Sequence, residues 1–274
     1  MPFVKTRDNV DLYVKDWGSG RPVILLHGWP LNADSWDDQA LALANAGHRV
    51  IAYDRRGFGR SSQPLSGYDY DTLSDDLAQV IEATGVTDAT LVGFSMGGGE
   101  VARYMSRHDG KGIAKAGLIA SVVAYLLKDE TNPDGVDQSV FEDQIKGPIA
   151  EDRAAFFANF AQQFFGVGFI SSPVSQQVLD HFWALAIQAG LPGTLACVDS
   201  FGKTDFRPDL AAFRVPTLII HGTSDKVVPI KPSARAAAAG IQGAQLVEYD
   251  GAPHGLNVTE KVRLTADLLS FAAS

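Results

Sequence analysis

Residues 93–97, Gly-Phe-Ser-Met-Gly, constrain the fold of this chain more than any other stretch, because of what stands on either side of them. Residues 89–92 centre on Thr90, Leu91 and Val92 and read as a short buried strand, while residues 98–107 read as a helix. A strand, a Gly-x-Ser-x-Gly turn and a helix in succession hold a serine on a strained corner with its hydroxyl exposed at the sheet edge. The glycines are needed because the corner brings the strand and helix backbones too close together for side chains, and the serine itself is pushed toward positive φ. Ser95 is therefore the expected nucleophile.

Its partners follow from chain order: after a serine on such a corner comes the acid, and the histidine comes last. Residues 215–220 are an apolar run of strand length, and Asp225 sits in the loop that leaves its end. That is the carboxyl end of a strand, the edge where open α/β sheets keep their sites. Residues 244–249 predict one more strand, and the loop after it carries His254, the last of the six histidines. The reading is Ser95 as nucleophile, His254 as general base and then acid, and Asp225 as the group that orients the imidazole and stabilises its cation. His27 and His221 also end apolar strands, each in a His-Gly pair, where a histidine typically fixes loop backbone by hydrogen bonding. Attack on a carbonyl builds charge on oxygen, and backbone N–H groups must meet it. The expected donors are Met96, the residue after the nucleophile, and Trp29, in the loop after the strand at 21–26. Pro30 cannot donate and restricts the residue before it, which stiffens that loop. The Trp29 indole fits packing and substrate contact equally well.

The 274 residues alternate strand and helix signals, which favours one α/β domain burying roughly three quarters of its unfolded surface. Lys and Arg number 23 against 32 Asp and Glu, a formal charge of −9 with no basic run, so nucleic acid is not an expected partner. The single cysteine, Cys197, cannot form an internal disulfide and stands at no metal-ligand spacing, so it reads as a small buried hydrophobe. Residues 1–10 carry charges in place of an apolar signal segment, and the longest apolar stretch, 118–127, is too short for a helix to span a bilayer. The expectation is a cytoplasmic protein with no membrane partner. No metal or nucleotide motif is present, and neither metal nor cofactor is expected.

Residues 3–4 and 10–16 look like a hairpin, 34–46 and 72–84 like helices, and 48–53 like a strand. The charged glycine-rich loop 54–61 reads as a salt-bridged turn supporting the nucleophile region. The alternation breaks at 122–209, which is rich in helix formers and in Phe141, Phe156, Phe157, Phe160, Phe164, Phe165 and Phe169. Inserted between two core strands, this segment is expected to fold as a helical cap over the serine, with residues 1–121 and 210–274 as the core. Most of its aromatics must bury the cap, and two or three should line a pocket.

Five stretches together, His27-Gly28-Trp29-Pro30, residues 54–61, residues 93–99, Asp205-Phe206-Arg207-Pro208-Asp209 and Ala252-Pro253-His254-Gly255, resemble the bacterial cofactor-free haloperoxidases. That family of α/β-hydrolases is also described as arylesterases and perhydrolases, and the resemblance runs from the first strands to the last helix. It implies an α/β-hydrolase fold, with a mostly parallel eight-stranded sheet flanked by helices and a helical lid. It also implies the Ser95, Asp225, His254 triad, N–H donors at Trp29 and Met96, and substrate contacts from Trp29, Val122, Leu126, Phe160, Phe164 and Val227. Members hydrolyse small aryl and alkyl esters, and some form peracids from carboxylic acid and hydrogen peroxide, the peracid then oxidising halide. Relatives include γ-lactam hydrolases, so a small cyclic amide is the alternative substrate. A non-catalytic ligand-binding version of the fold would have no reason to keep serine, acid and histidine together. The implied partners are a small ester, or a carboxylic acid with hydrogen peroxide; self-association is left open.

Overall fold

The computed structural model describes residues 2–168 and 172–274, so Phe169 lies outside the described residues. Eight strands form one sheet: β1 (Phe3–Lys5), β2 (Asp11–Gly18), β3 (Arg21–Leu26), β4 (His48–Tyr53), β5 (Ala89–Phe94), β6 (Ile113–Ile119), β7 (Thr217–Gly222) and β8 (Gln245–Tyr249). Their spatial order is β1-β2-β4-β3-β5-β6-β7-β8. The pairs β1/β2 and β2/β4 are antiparallel, and every pair from β4 to β8 is parallel. Parallel strands are covered on both faces and must be apolar throughout, and β5 and β7 are buried at every position. From β3 the chain passes to β4 on one side and then to β5 on the other. This reversal opens a crevice at the carboxyl ends of β3 and β5, where such sheets bind ligands.

Six helices belong to the sheet's connections and its C-terminal end: α1 (Asp37–Asn45), α2 (Tyr70–Thr84), α3 (Met96–Arg107), α7 (Ala236–Gly240), α8 (Leu256–Thr259) and α9 (Lys261–Ala273). The helix expected over 34–46 is divided. A 3₁₀ turn at Ala33–Trp36 comes first, because Asn32 accepts the Asp34 N–H at 3.0 Å and starts the turn before the α-helix. Helix α3 begins at Met96, two residues earlier than expected, since the left-handed backbone of Ser95 turns the chain directly into helix.

Between β6 and β7 lie α4 (Gly147–Phe165), α5 (Gln176–Ala186) and α6 (Leu191–Lys203). Helix α4 breaks at Asp152, whose carboxylate then caps the next turn by accepting the Ala155 N–H at 2.9 Å. Phe141, Phe157, Phe164 and Phe165 are buried in the same apolar cluster as Ile24 and Leu91 of the sheet. Among the described residues, no single helix is long and apolar enough to cross a membrane.

Candidate active site

Ser95 stands at the corner between β5 and α3 with φ 53° and ψ −120°, held by its own N–H donating to the Ile119 carbonyl at 2.8 Å. Both motif glycines are sterically required. A Cβ on Gly93 would strike the Gly97 carbonyl, and one on Gly97 would lie 2.6 Å from the Leu26 carbonyl oxygen. The helix start is thus pressed onto the end of β3. That packing brings the loop after β3 to the nucleophile, where a Cβ on Gly28 would lie 3.0 Å from that of Ser95.

The three residues expected from chain order meet here. His254 Nε2 lies 2.9 Å from Ser95 Oγ, and its Nδ1 lies 2.6 Å from Asp225 Oδ2. A carboxylate can only accept, so Nδ1 carries the proton and Nε2 is free to accept from the serine hydroxyl. Asp225 Oδ1 accepts the N–H groups of Val227 and Val228, both at 2.8 Å, which fixes the carboxylate plane. Burial pushes the Asp225 carboxyl up, but the charge of His254 and the hydrogen bonds from His221 and His254 outweigh it and hold the group well below the usual carboxylate range. Asp225 is therefore the anion that an imidazolium needs beside it. Phe94 and Phe164 pack on the His254 ring, with centroids 5.2 and 4.9 Å away, leaving it little freedom to turn.

Neither competing histidine reaches the serine. His221 Nε2 is bonded to the Val228 carbonyl at 2.9 Å and lies 3.2 Å from Asp225 Oδ2, a second support for the acid. His27 bonds the backbone of its own loop. The loop 54–61 is tied by two buried ion pairs, Arg55 with Glu100 of α3 and Arg56 with Asp76, and by a half-exposed one, Arg60 with the buried Asp54.

At Met96 the first turn of α3 leaves its N–H groups without intrahelical partners, and the positive end of the helix dipole favours an anion there. A cavity opens over Ser95 and encloses about 480 Å³ of space, part of it open to solvent. Trp29, Val122, Leu126, Phe160 and Val227 line it. The Trp29 indole faces this cavity and donates from Nε1 to the Thr194 carbonyl at 3.0 Å, tying the ring to α6. Phe164 is not among the residues that line the cavity: it is fully buried, with its ring packed against Phe160 and His254. Phe141, one of the cap phenylalanines singled out in the sequence, completes the wall with Val136, Val140, Ile145, Phe201 and Val228, which sequence reasoning missed.

A family model described as the alpha/beta hydrolase fold matches residues 21–261. The chain is 43% identical to a non-heme chloroperoxidase of Kitasatospora aureofaciens over 99% of each chain. It is 40% identical to a bifunctional esterase/perhydrolase of Acinetobacter calcoaceticus over the whole of both. The crystal structure of a bromoperoxidase from Bacillus anthracis superposes with a TM-score of 0.95 at 44% identity, covering 99% of each chain. With its fold, its serine corner and these relatives in agreement, the chain belongs to the non-heme haloperoxidase and perhydrolase family of α/β-hydrolase enzymes.

Proposed function

We propose that this enzyme hydrolyses small, uncharged carboxylic esters through an acyl-enzyme on Ser95 and makes peracids from carboxylic acids and hydrogen peroxide at the same site. The observation that carries the reading is the relay from Asp225 through His254 to Ser95, at 2.6 and 2.9 Å, opening into a cavity whose described lining is apolar except for Ser95. Residues 122–209 serve as the cap that supplies much of that lining, over a core of 1–121 and 210–274.

Ser95 Oγ attacks the ester carbonyl while His254 Nε2 takes its proton. The N–H groups of Met96 and Trp29 receive the oxyanion, and His254 returns the proton to the leaving oxygen, which departs as the alcohol of an ester or as water from a carboxylic acid. Water or hydrogen peroxide then attacks the acyl-enzyme, giving its proton to His254, which passes it to Ser95 Oγ as the acid or peracid leaves. The peracid oxidises bromide outside the catalytic steps, with a proton consumed and carboxylic acid and hypobromous acid formed. Among the described lining residues there is no cation to pair with a carboxylate. Burying an ionised acid unpaired costs several kcal/mol, so the acid enters protonated and mildly acidic solution favours peracid formation.

With acetate and hydrogen peroxide at mildly acidic pH, bromination of a phenolic dye should require both reagents and vanish in Ser95→Ala. Bromination that persists without Ser95, or that needs no carboxylate, would overturn the peracid route and leave the esterase alone.

A further inference from the structure

The hydrolase reading needs the Trp29 N–H to point at the nucleophile, and Trp29 shares a trans peptide with the Gly28 carbonyl. In a trans peptide the N–H and C=O point in opposite directions, so whatever holds the Gly28 oxygen also aims the Trp29 N–H. Two donors hold it: the Leu31 N–H at 3.0 Å and His27 Nδ1 at 2.9 Å. The His27 tautomer is fixed by its other contact. Nε2 lies 2.9 Å from the Arg55 backbone N–H, which can only donate, so Nε2 accepts and the proton is on Nδ1, facing an oxygen that can only accept.

Arg55 also donates from Nη2 to the His27 carbonyl at 2.6 Å and from Nε to Glu100 Oε1 at 2.5 Å. Glu100 lies one turn into α3, the helix whose first residue, Met96, supplies the other expected donor. Its Oε2 accepts the Tyr53 hydroxyl at 2.9 Å, and the side chains of Arg55 and Glu100 are both 1% exposed. Burial first, and then the Arg55 charge, holds the His27 imidazolium well below its usual range, which keeps the ring neutral and Nε2 available to accept.

Resting on the hydrolase reading, we propose that His27, anchored to α3 through the buried Arg55–Glu100 pair, is the positioning residue of the oxyanion hole: it sets the Gly28–Trp29 peptide so that both donors are referenced to the same helix. The contact is preformed, and electrostatic stabilisation of this kind needs donors already in place when charge develops.

The test compares His27→Asn, whose amide N–H can replace Nδ1–H, with His27→Gln, which reaches toward Arg55 but lacks a donor at the Nδ1 position. Both are assayed with p-nitrophenyl acetate and with an aryl trifluoromethyl ketone that forms a tetrahedral adduct on Ser95. Complete loss of an oxyanion donor typically costs 10²–10³ in kcat; because Leu31 still holds the Gly28 oxygen, His27→Gln should lose about 10- to 100-fold. Its KM should stay within about threefold of wild type, ketone affinity should fall by the same factor as kcat, and His27→Asn should recover to within about threefold of wild-type kcat. A folded His27→Gln with wild-type kcat, a kcat loss without matching loss of ketone affinity, or equal loss in His27→Asn would overturn the positioning role. Wild-type protein that neither hydrolyses the ester nor binds the ketone would instead overturn the hydrolase reading, and the proposal with it.

Discussion

Ser95→Ala is expected to lower kcat for ester hydrolysis by on the order of 10⁶ while the protein stays folded, because removing the nucleophile of such a unit abolishes the work of all three members. The backbone at Ser95 is already left-handed at φ 53°, and alanine retains the same Cβ, so the substitution adds no new clash at the corner. Among the described residues, Ser95 Oγ has a side-chain hydrogen bond only with His254. The melting temperature should therefore move by no more than a few degrees. A variant that kept a tenth of wild-type kcat would remove Ser95 from the role assigned to it.

Asp225→Asn should cost about 10⁴ in kcat through the histidine tautomer. An asparagine amide can donate to His254 Nδ1, which sends the ring proton to Nε2, the nitrogen that must accept from Ser95. The imidazolium formed during attack would also lose its counter-ion, which lies 2.6 Å away in a buried site. The loss should appear in kcat with KM little changed, because Asp225 is not among the residues lining the cavity. A decrease of less than about tenfold would mean that another group orients the base.

How much of this site could be read from the sequence depends on the distance over which each feature is specified. The serine corner is local: strand, two glycines and helix are all written within 20 residues, and the clashes at Gly93 and Gly97 explain why no other residue serves. Asp225 and His254 are distant in the chain but stand in loops after recognisable apolar strands, so topology alone brings them together. The cavity wall was the least legible. Val136, Val140 and Ile145 carry no periodic or chemical mark, and which face of α4 meets the site is decided by how that helix docks after its break at Asp152. Hence Phe160 reaches the cavity while Phe164, one turn later, packs on His254. The loop 54–61 was recognisable as ion-paired, yet its link to α3 depends on Glu100, which lies 45 residues from Arg55.

The most direct test of covalent catalysis by Ser95 is the intact mass of the enzyme quenched in acid within milliseconds of mixing with p-nitrophenyl acetate, followed by peptide mapping. The expected result is one acetyl group per chain, on the peptide that contains Ser95, disappearing faster when hydrogen peroxide is added and absent from Ser95→Ala. Acetylation confined to a residue other than Ser95, or turnover at the wild-type rate by Ser95→Ala, would contradict it.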